Sequence, residues 1–424
     1  MKQTIIKNVN VVCAENNINK KADILIENDK IKKIAESINC KDAEIIDAQN
    51  MTAIPGLVDM HCHLREPGYE YKENIFTGSR AAAKGGFTSI ACMANTNPIN
   101  DNPAITISIL ESAKSDSVVN IYPIGAITKS LSGKELVEMG MMKDAGCVAF
   151  SDDGKGVSTS KMMYNALNYA KQFDMPIISH CEDELAAGGC INEGIMSTKL
   201  GMPGINRAAE EIMVFREIAL AEALDTKVHI AHISTKGSVE IIRNAKKRGV
   251  NVTCETCPHY IAGTDEMTAD YDTSTKVNPP LRTEEDRQAI INGIIDGTID
   301  AIATDHAPHH VDDKLVEYQL AAMGISGFET AFSLCYTQLV ETKKISISKL
   351  VEMMCAAPAK ILNIAAGTLS IGADADITII DENAEYAVDV SSFVSKGKNN
   401  PFDGWNVKGK IKTTIVKGNI VYQA

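Results

Sequence analysis

A chain of 424 residues is long for a single ordinary core, but it fits one barrel of about 250 residues with a smaller appendage. An apolar fraction of 45% and a charged fraction of 23% are those of a packed globular protein and exclude disorder. The net charge of −13 leaves no basic face for a phosphate backbone, which excludes nucleic acid as the main partner and favours a small-molecule substrate; an anionic one would need cations placed locally.

In chain order, residues 1–53 read as short strands separated by turns: TIIKNVNVV, KKADILIEN, DKIKKIAES and AEIIDAQ. From about residue 54 the pattern changes to apolar strands alternating with helical stretches, the signature of βα units and a parallel sheet. The strand candidates are IPGLVDMHCHL, TSIACMAN, VNIYPIGAI, GCVAFSDDG, PIISHCED, KVHIAHIST, NVTCETCPHY and TIDAIATDHAP. Segments 208–224 and 236–249 carry apolar residues at helical spacing and suit an outer ring. The predicted fold is α/β, a (β/α)8 TIM-type barrel over 54–365. The last stretch returns to strands in DADITIID, KIKTTIVKG and NIVYQA, so segments 1–53 and 366–424 are expected to join as a small β-sandwich domain. NPIND and GKNNPFDG read as surface loops.

No apolar run reaches the roughly 20 residues that cross a bilayer, and MKQTIIKNVN lacks a signal-peptide core, so no membrane association and a cytoplasmic location are expected. The 11 cysteines are odd in number and scattered through apolar segments, as reduced thiols are. Cys254 and Cys257 have zinc-finger spacing, but no second CxxC completes four ligands, and structural zinc is not expected there.

In such a barrel the site forms where the C-terminal strand ends converge. His61 and His63 end the first barrel strand, Asp153 the fourth, His180 the fifth, His232 the sixth and Asp305 the eighth. Core packing would place Val, Ile or Leu there. Alternation points His61 and His63 to one side, and imidazoles with carboxylates suit Zn²⁺, one or two ions per subunit. His61, His63 and Asp305 would hold one ion and His180 and His232 a second, with Asp153 bridging ions about 3.5 to 4 Å apart. Asp305 can also serve as general base in a hydrolysis of an amide-like carbonyl. His229, by alternation, is expected to face away from His232 in a structural role.

The segments GLVDMHCHLREPG, MANTNP, FSDDG, ISHCED, AHIST, VNPPLR and ATDHAPH, in this order, resemble those of the amidohydrolase superfamily and, within it, the dihydroorotase family. The resemblance covers essentially the whole chain. It implies reversible interconversion of N-carbamoyl-L-aspartate and L-dihydroorotate in pyrimidine synthesis. It implies metal roles for His61, His63, Asp153, His180, His232 and Asp305, with Asp305 also the proton shuttle. Arg65 and Asn95 match positions that hold the substrate carboxylate, and Asn278 and His309 match further substrate contacts. An Arg fork pairs bidentately with a carboxylate, as an acidic protein binding a dianion requires. A homodimer is the family's common state, and aspartate transcarbamoylase is a possible partner.

Many relatives bridge their metals with a carboxylated lysine at the end of strand four. Here that place reads Ser151, Asp152, Asp153 and Gly154, with Lys155 beyond, which resembles the subgroup lacking the modified lysine. Chemistry alone does not choose between the two aspartates, and the motif favours Asp153. The loop that usually carries Pro-Phe-Gly reads Ala322, Met323 and Gly324. Cys181, beside His180, would ordinarily point away from the site; as a ligand in a resting form it would make Cys181→Ser raise basal activity. Two other functions compete: a hydantoinase- or allantoinase-like enzyme, against which Arg65 argues, and a non-catalytic subunit supporting aspartate transcarbamoylase, against which the complete ligand set argues.

Overall fold

The computed structural model describes residues 2–424. The chain begins with β1 (Gln3–Cys13), β2 (Ile18–Glu27), β3 (Lys30–Ala35), β4 (Glu44–Asp47) and β5 (Thr52–Pro55). β1 pairs antiparallel with β2 and parallel with both β4 and β5. The inward residues of β1 and β2, among them Val11 and Ile24, are β-branched, the side-chain type that packs well on a pleated surface.

The run IPGLVDMHCHL belongs to two sheets, contrary to its reading as one barrel strand. β5 stays with the terminal strands, and β6 (Leu57–Cys62) opens the barrel; Gly56 lies between them. A Cβ at Gly56 would lie 2.0 Å from the Thr88 hydroxyl, so only glycine lets the chain pass from one sheet to the other here.

The barrel continues with β7 (Phe87–Cys92), β8 (Asn120–Gly125), β9 (Ala149–Phe150) and β10 (Ile178–Ser179). After a short parallel pair, β11 (Ile191–Asn192) and β12 (Gly204–Ile205), it resumes with β13 (Val228–Ile230), β14 (Val252–Thr256) and β15 (Ala301–Ile302). β6 to β9 form one four-stranded parallel arc and β10, β13, β14 and β15 another. Parallel bridges Phe150↔Ile177 and Cys62↔His306 join the two arcs at both seams, so the ring closes. This is the predicted (β/α)8 barrel, with strands where the apolar runs placed them. Met60, Ala91, Ile124, Ala149, Ile178 and Ala301, from six strands, share one interior cluster with Leu362. Helices Ala208–Leu224 and Lys236–Lys247 lie in the outer layer, as their periodicity predicts. The second ends earlier than the sequence suggested because Gly249, at φ 85°, turns the chain out of the helix.

β16 (Ile377–Ala387), β17 (Asn406–Val416) and β18 (Asn419–Gln423) complete the terminal sheet. Its strand order is β18-β17-β16-β5-β1-β2-β3, with β4 on β1, so both chain ends lie in one mixed eight-stranded sheet. Val11, Ile24, Ala53, Ile377 and Ile415 share its core. The two predicted surface loops are instead well buried in part. Asn100 of NPIND is fully buried and donates to the Ile124 carbonyl at 2.9 Å. Asn399 and Asn400 of GKNNPFDG are buried against the barrel, because their amides satisfy backbone groups that would otherwise lack partners. Among the described residues no helix is long and apolar enough to cross a membrane.

Candidate active site

The barrel strands stop early, and the residues that follow turn inward. β9, β10 and β15 are each two residues long, and Asp153, His180 and Asp305 lie just beyond them. Arg65, His232 and Asp305 have φ of 62°, 31° and 45°, a region that non-glycine residues enter only when surroundings fix them. His232 shows the consequence. Alternation would send it outward, and the left-handed turn brings it inward beside His180. His229, expected to face away from His232, instead points into the barrel beneath the site, 2.8 Å from the Thr253 hydroxyl and 3.3 Å from Glu255.

Asp153 lies at the centre of the predicted ligands. Its Oδ1 is 3.3 Å from His61 Nε2, 3.5 Å from His180 Nδ1 and 3.6 Å from His232 Nε2, and its Oδ2 is 3.5 Å from His63 Nε2. Asp305 Oδ1 lies 3.1 Å from His63 Nε2 and 3.6 Å from His61 Nε2. The structure therefore brings all six residues together, and the groups His61–His63–Asp305 and His61–Asp153–His232 are compact enough for a metal ion. Asp152 is turned away, accepting hydrogen bonds from the Ile127 and Thr128 amides at 2.7 and 3.0 Å.

Two features fit a cation. His61 Nε2 is buried without a hydrogen-bond partner among the described residues. His180 Nε2 is likewise buried without a hydrogen-bond partner among the described residues, while its Nδ1 shares a hydrogen bond of 2.8 Å with His232 Nε2. A demand for positive charge appears in the ionisation equilibria. Burial alone would press the His61 pKa down, yet Asp153 and Asp305 drive it well above the ordinary histidine value. Burial would raise both carboxyls, yet the surrounding imidazoles hold Asp153 and Asp305 far below the carboxylate range. A divalent ion supplies that positive charge while leaving the imidazoles neutral.

Other side chains fix the ligand rings. His61 Nδ1 is 2.7 Å from Glu255, and His63 Nδ1 is 3.0 Å from the Asn95 carbonyl oxygen, so each ring donates from Nδ1 and presents Nε2 to the site. Asn95 thus touches a predicted ligand as well as facing the mouth. The backbone supports the same geometry, since Asp59 accepts from the Thr304 amide at 2.9 Å and the His63 amide donates to the His306 carbonyl at 2.8 Å. Sequence reasoning missed Glu255, Asp59 and Glu182. A signal existed for each, a carboxylate inside an apolar strand or beside a ligand histidine. Glu182 lies 3.5 Å from His180 Nε2 and accepts from the Asn278 amide.

Arg65 is half-buried, with Nε 3.2 Å from the Pro308 carbonyl and Nη2 3.3 Å from His309. His309 is buried, and burial together with Arg65 and Lys72 pushes its pKa down to about 2, so the ring is neutral; its Nε2 donates to the Met323 carbonyl at 2.9 Å. The adjacent His310 instead caps the helix Val311–Lys314. Asn399, missed as loop surface, accepts the His309 amide at 3.0 Å. Cys181 does point away, its sulfur 3.7 Å from the Ser179 hydroxyl. The sulfur of Cys254 lies 3.4 Å from the Thr298 carbonyl, on the outer side of its strand.

Comparison with known proteins agrees with this architecture. The dihydro-orotase-like family model matches residues 51–238, and an amidohydrolase family model matches 214–422. The chain is 56% identical to a dihydroorotase of Acetivibrio thermocellus, over 98% of each chain. It belongs to the dihydroorotase family. A dihydroorotase of Syntrophus aciditrophicus is 53% identical over 99% of each chain. An L-hydantoinase (dihydropyrimidinase) structure from Arthrobacter aurescens superposes with a TM-score of 0.90 at 27% identity, covering 100% of this chain and 96% of that one. This member of the dihydroorotase family has no lysine at the bridging place: Lys155 is exposed, and Asp153 is the group facing the imidazoles. Its Ala322–Gly324 loop is fastened from three sides. Lys314 donates to the Ala322 carbonyl, His309 to that of Met323, and the Gly324 amide to the Lys276 carbonyl.

Proposed function

We propose that the chain is a dihydroorotase, catalysing the reversible cyclisation of N-carbamoyl-L-aspartate to L-dihydroorotate in pyrimidine biosynthesis, with zinc, one or two ions per subunit, as its metal. The observation that carries this reading is full-length identity of 56% and 53% to proteins named dihydroorotase, together with a complete set of ligand side chains at one barrel mouth. His61, His63 and Asp305 would hold one ion and His180 and His232 a second, with Asp153 reaching both. When bound, such ions lower the pKa of water towards neutrality and polarise an amide carbonyl.

The chain's own residues do the rest. Asp305 is held ionised by its neighbours and can take a proton from the attacking water and deliver it to the departing ring nitrogen. Arg65 offers its guanidinium to the substrate carboxylate, anchored from behind by the Pro308 carbonyl. Asn95, Asn278 and His309 supply the remaining polar wall; a neutral His309 adds no charge there, its Nε2 proton being held by the Met323 carbonyl. The hydantoinase-like fold favours a second reading as another cyclic amidohydrolase. Neutral rings would leave the Arg65 guanidinium without a carboxylate, and Asp153 replaces the lysine bridge usual in those enzymes.

The test is dihydroorotate hydrolysis by the purified protein with and without Zn²⁺, beside Asp305→Ala. Metal-dependent turnover that disappears in the variant is expected. Zinc-loaded protein without turnover would overturn the reading.

A further inference from the structure

Beside Asp305 lie two further donors, Cys257 and His259, that the proposed reaction does not use. Cys257 and His259 follow β14, where Glu255 already points inward, and Cys257, two residues on, keeps that direction. A sulfur of Cys257, a ring nitrogen of His259 and a carboxylate oxygen of Asp305 all lie within 4.8 Å of one another, and all three residues are buried. His259 is 2% exposed, and its Nε2 has no hydrogen-bond partner among the described residues. A buried ring nitrogen without a partner is costly unless something else comes to it. Thiolate, imidazole and carboxylate together are a soft-to-borderline donor set that selects Zn²⁺ or Cd²⁺ over Mg²⁺ and Ca²⁺.

We propose that Cys257, His259 and Asp305 form an inhibitory site for a soft divalent cation, cadmium or excess zinc, which takes the Asp305 carboxylate away from the reaction. The thiol proton leaves to solvent as the sulfur–metal bond forms, and nothing is oxidised or reduced. Asp305 cannot serve as proton shuttle while it neutralises this cation. The inhibitory consequence rests on the dihydroorotase reading, whereas the binding does not.

The experiment titrates zinc-loaded wild-type protein, Cys257→Ser, His259→Gln and a Cys40→Ser control with Cd²⁺, recording the ultraviolet thiolate-to-cadmium charge-transfer band alongside dihydroorotate hydrolysis. Cys40 is the control because it is the partly exposed cysteine. The wild type and the Cys40 variant are expected to develop the band as turnover falls. Cys257→Ser should lose the band, and both site variants should need at least about tenfold more cadmium for the same inhibition. A band of equal amplitude and midpoint in Cys257→Ser overturns the proposal. So does equal inhibition of all four proteins without a thiolate band, which would indicate exchange at the histidine cluster. A Cys257-dependent band in proteins that hydrolyse no dihydroorotate would sustain the cation site and sink the functional reading instead.

Discussion

In the terminal sheet β1, β16 and β17 each run for 11 residues and bury apolar side chains in a common core, while at the barrel mouth β9, β10 and β15 end after two residues and hand over to an aspartate or a histidine. Both regions are buried, and the difference lies in what satisfies the buried groups. Apolar packing is non-directional and tolerates volume-conserving change. Buried charge is stable only with partners at defined distances, so His61 stands between Glu255 at 2.7 Å and Asp153 at 3.3 Å. One region holds the fold together, and the other concentrates buried charge whose partners must stand at fixed distances.

That contrast can be broken or sharpened by substitution. Asp305→Ala should lower kcat for dihydroorotate by about a thousandfold or more while the protein stays folded, read by steady-state hydrolysis and circular dichroism. Glu255→Gln, beneath the ring of ligands, should weaken zinc retention by about 10- to 100-fold, measured as zinc content against a competing chelator; unchanged retention would make Glu255 mere packing. Arg65→Lys keeps the charge but loses the fork, and KM should rise about tenfold with kcat nearly unchanged. Ile24→Ala, in the sheet core, should cost about 2–5 kcal/mol of stability by denaturant titration, with kcat per folded molecule intact. Cys181→Ser should leave basal turnover where it was, since the sulfur faces Ser179 and not the site; an increase would restore the resting-ligand idea.

Much of this was legible along the chain. The eight barrel strands, helices 208–224 and 236–247 and the β-rich termini each carry a local periodicity, and periodicity survives in sequence because it follows from backbone geometry. The convergence of His61, His63, Asp153, His180, His232 and Asp305 was legible for a related reason, as polar residues ending apolar runs. Direction beyond a strand's end was not. His229, expected to face away from the site, points in beneath it, His232 reaches its expected place only through a left-handed residue, and the choice between Asp152 and Asp153 depended on amides at 127 and 128.

By itself, then, the sequence determined the barrel, the pairing of its two ends and the residue types gathered at the mouth, since each is written in local pattern and residue type. Only the tertiary structure decided that Asn399 props His309 from 90 residues away, that Glu255 sits under His61, that Gly56 passes the chain between two sheets and that Cys257 and His259 converge on Asp305. These are contacts between distant segments, and their geometry is set by how strands and turns pack, which no short window of residues encodes.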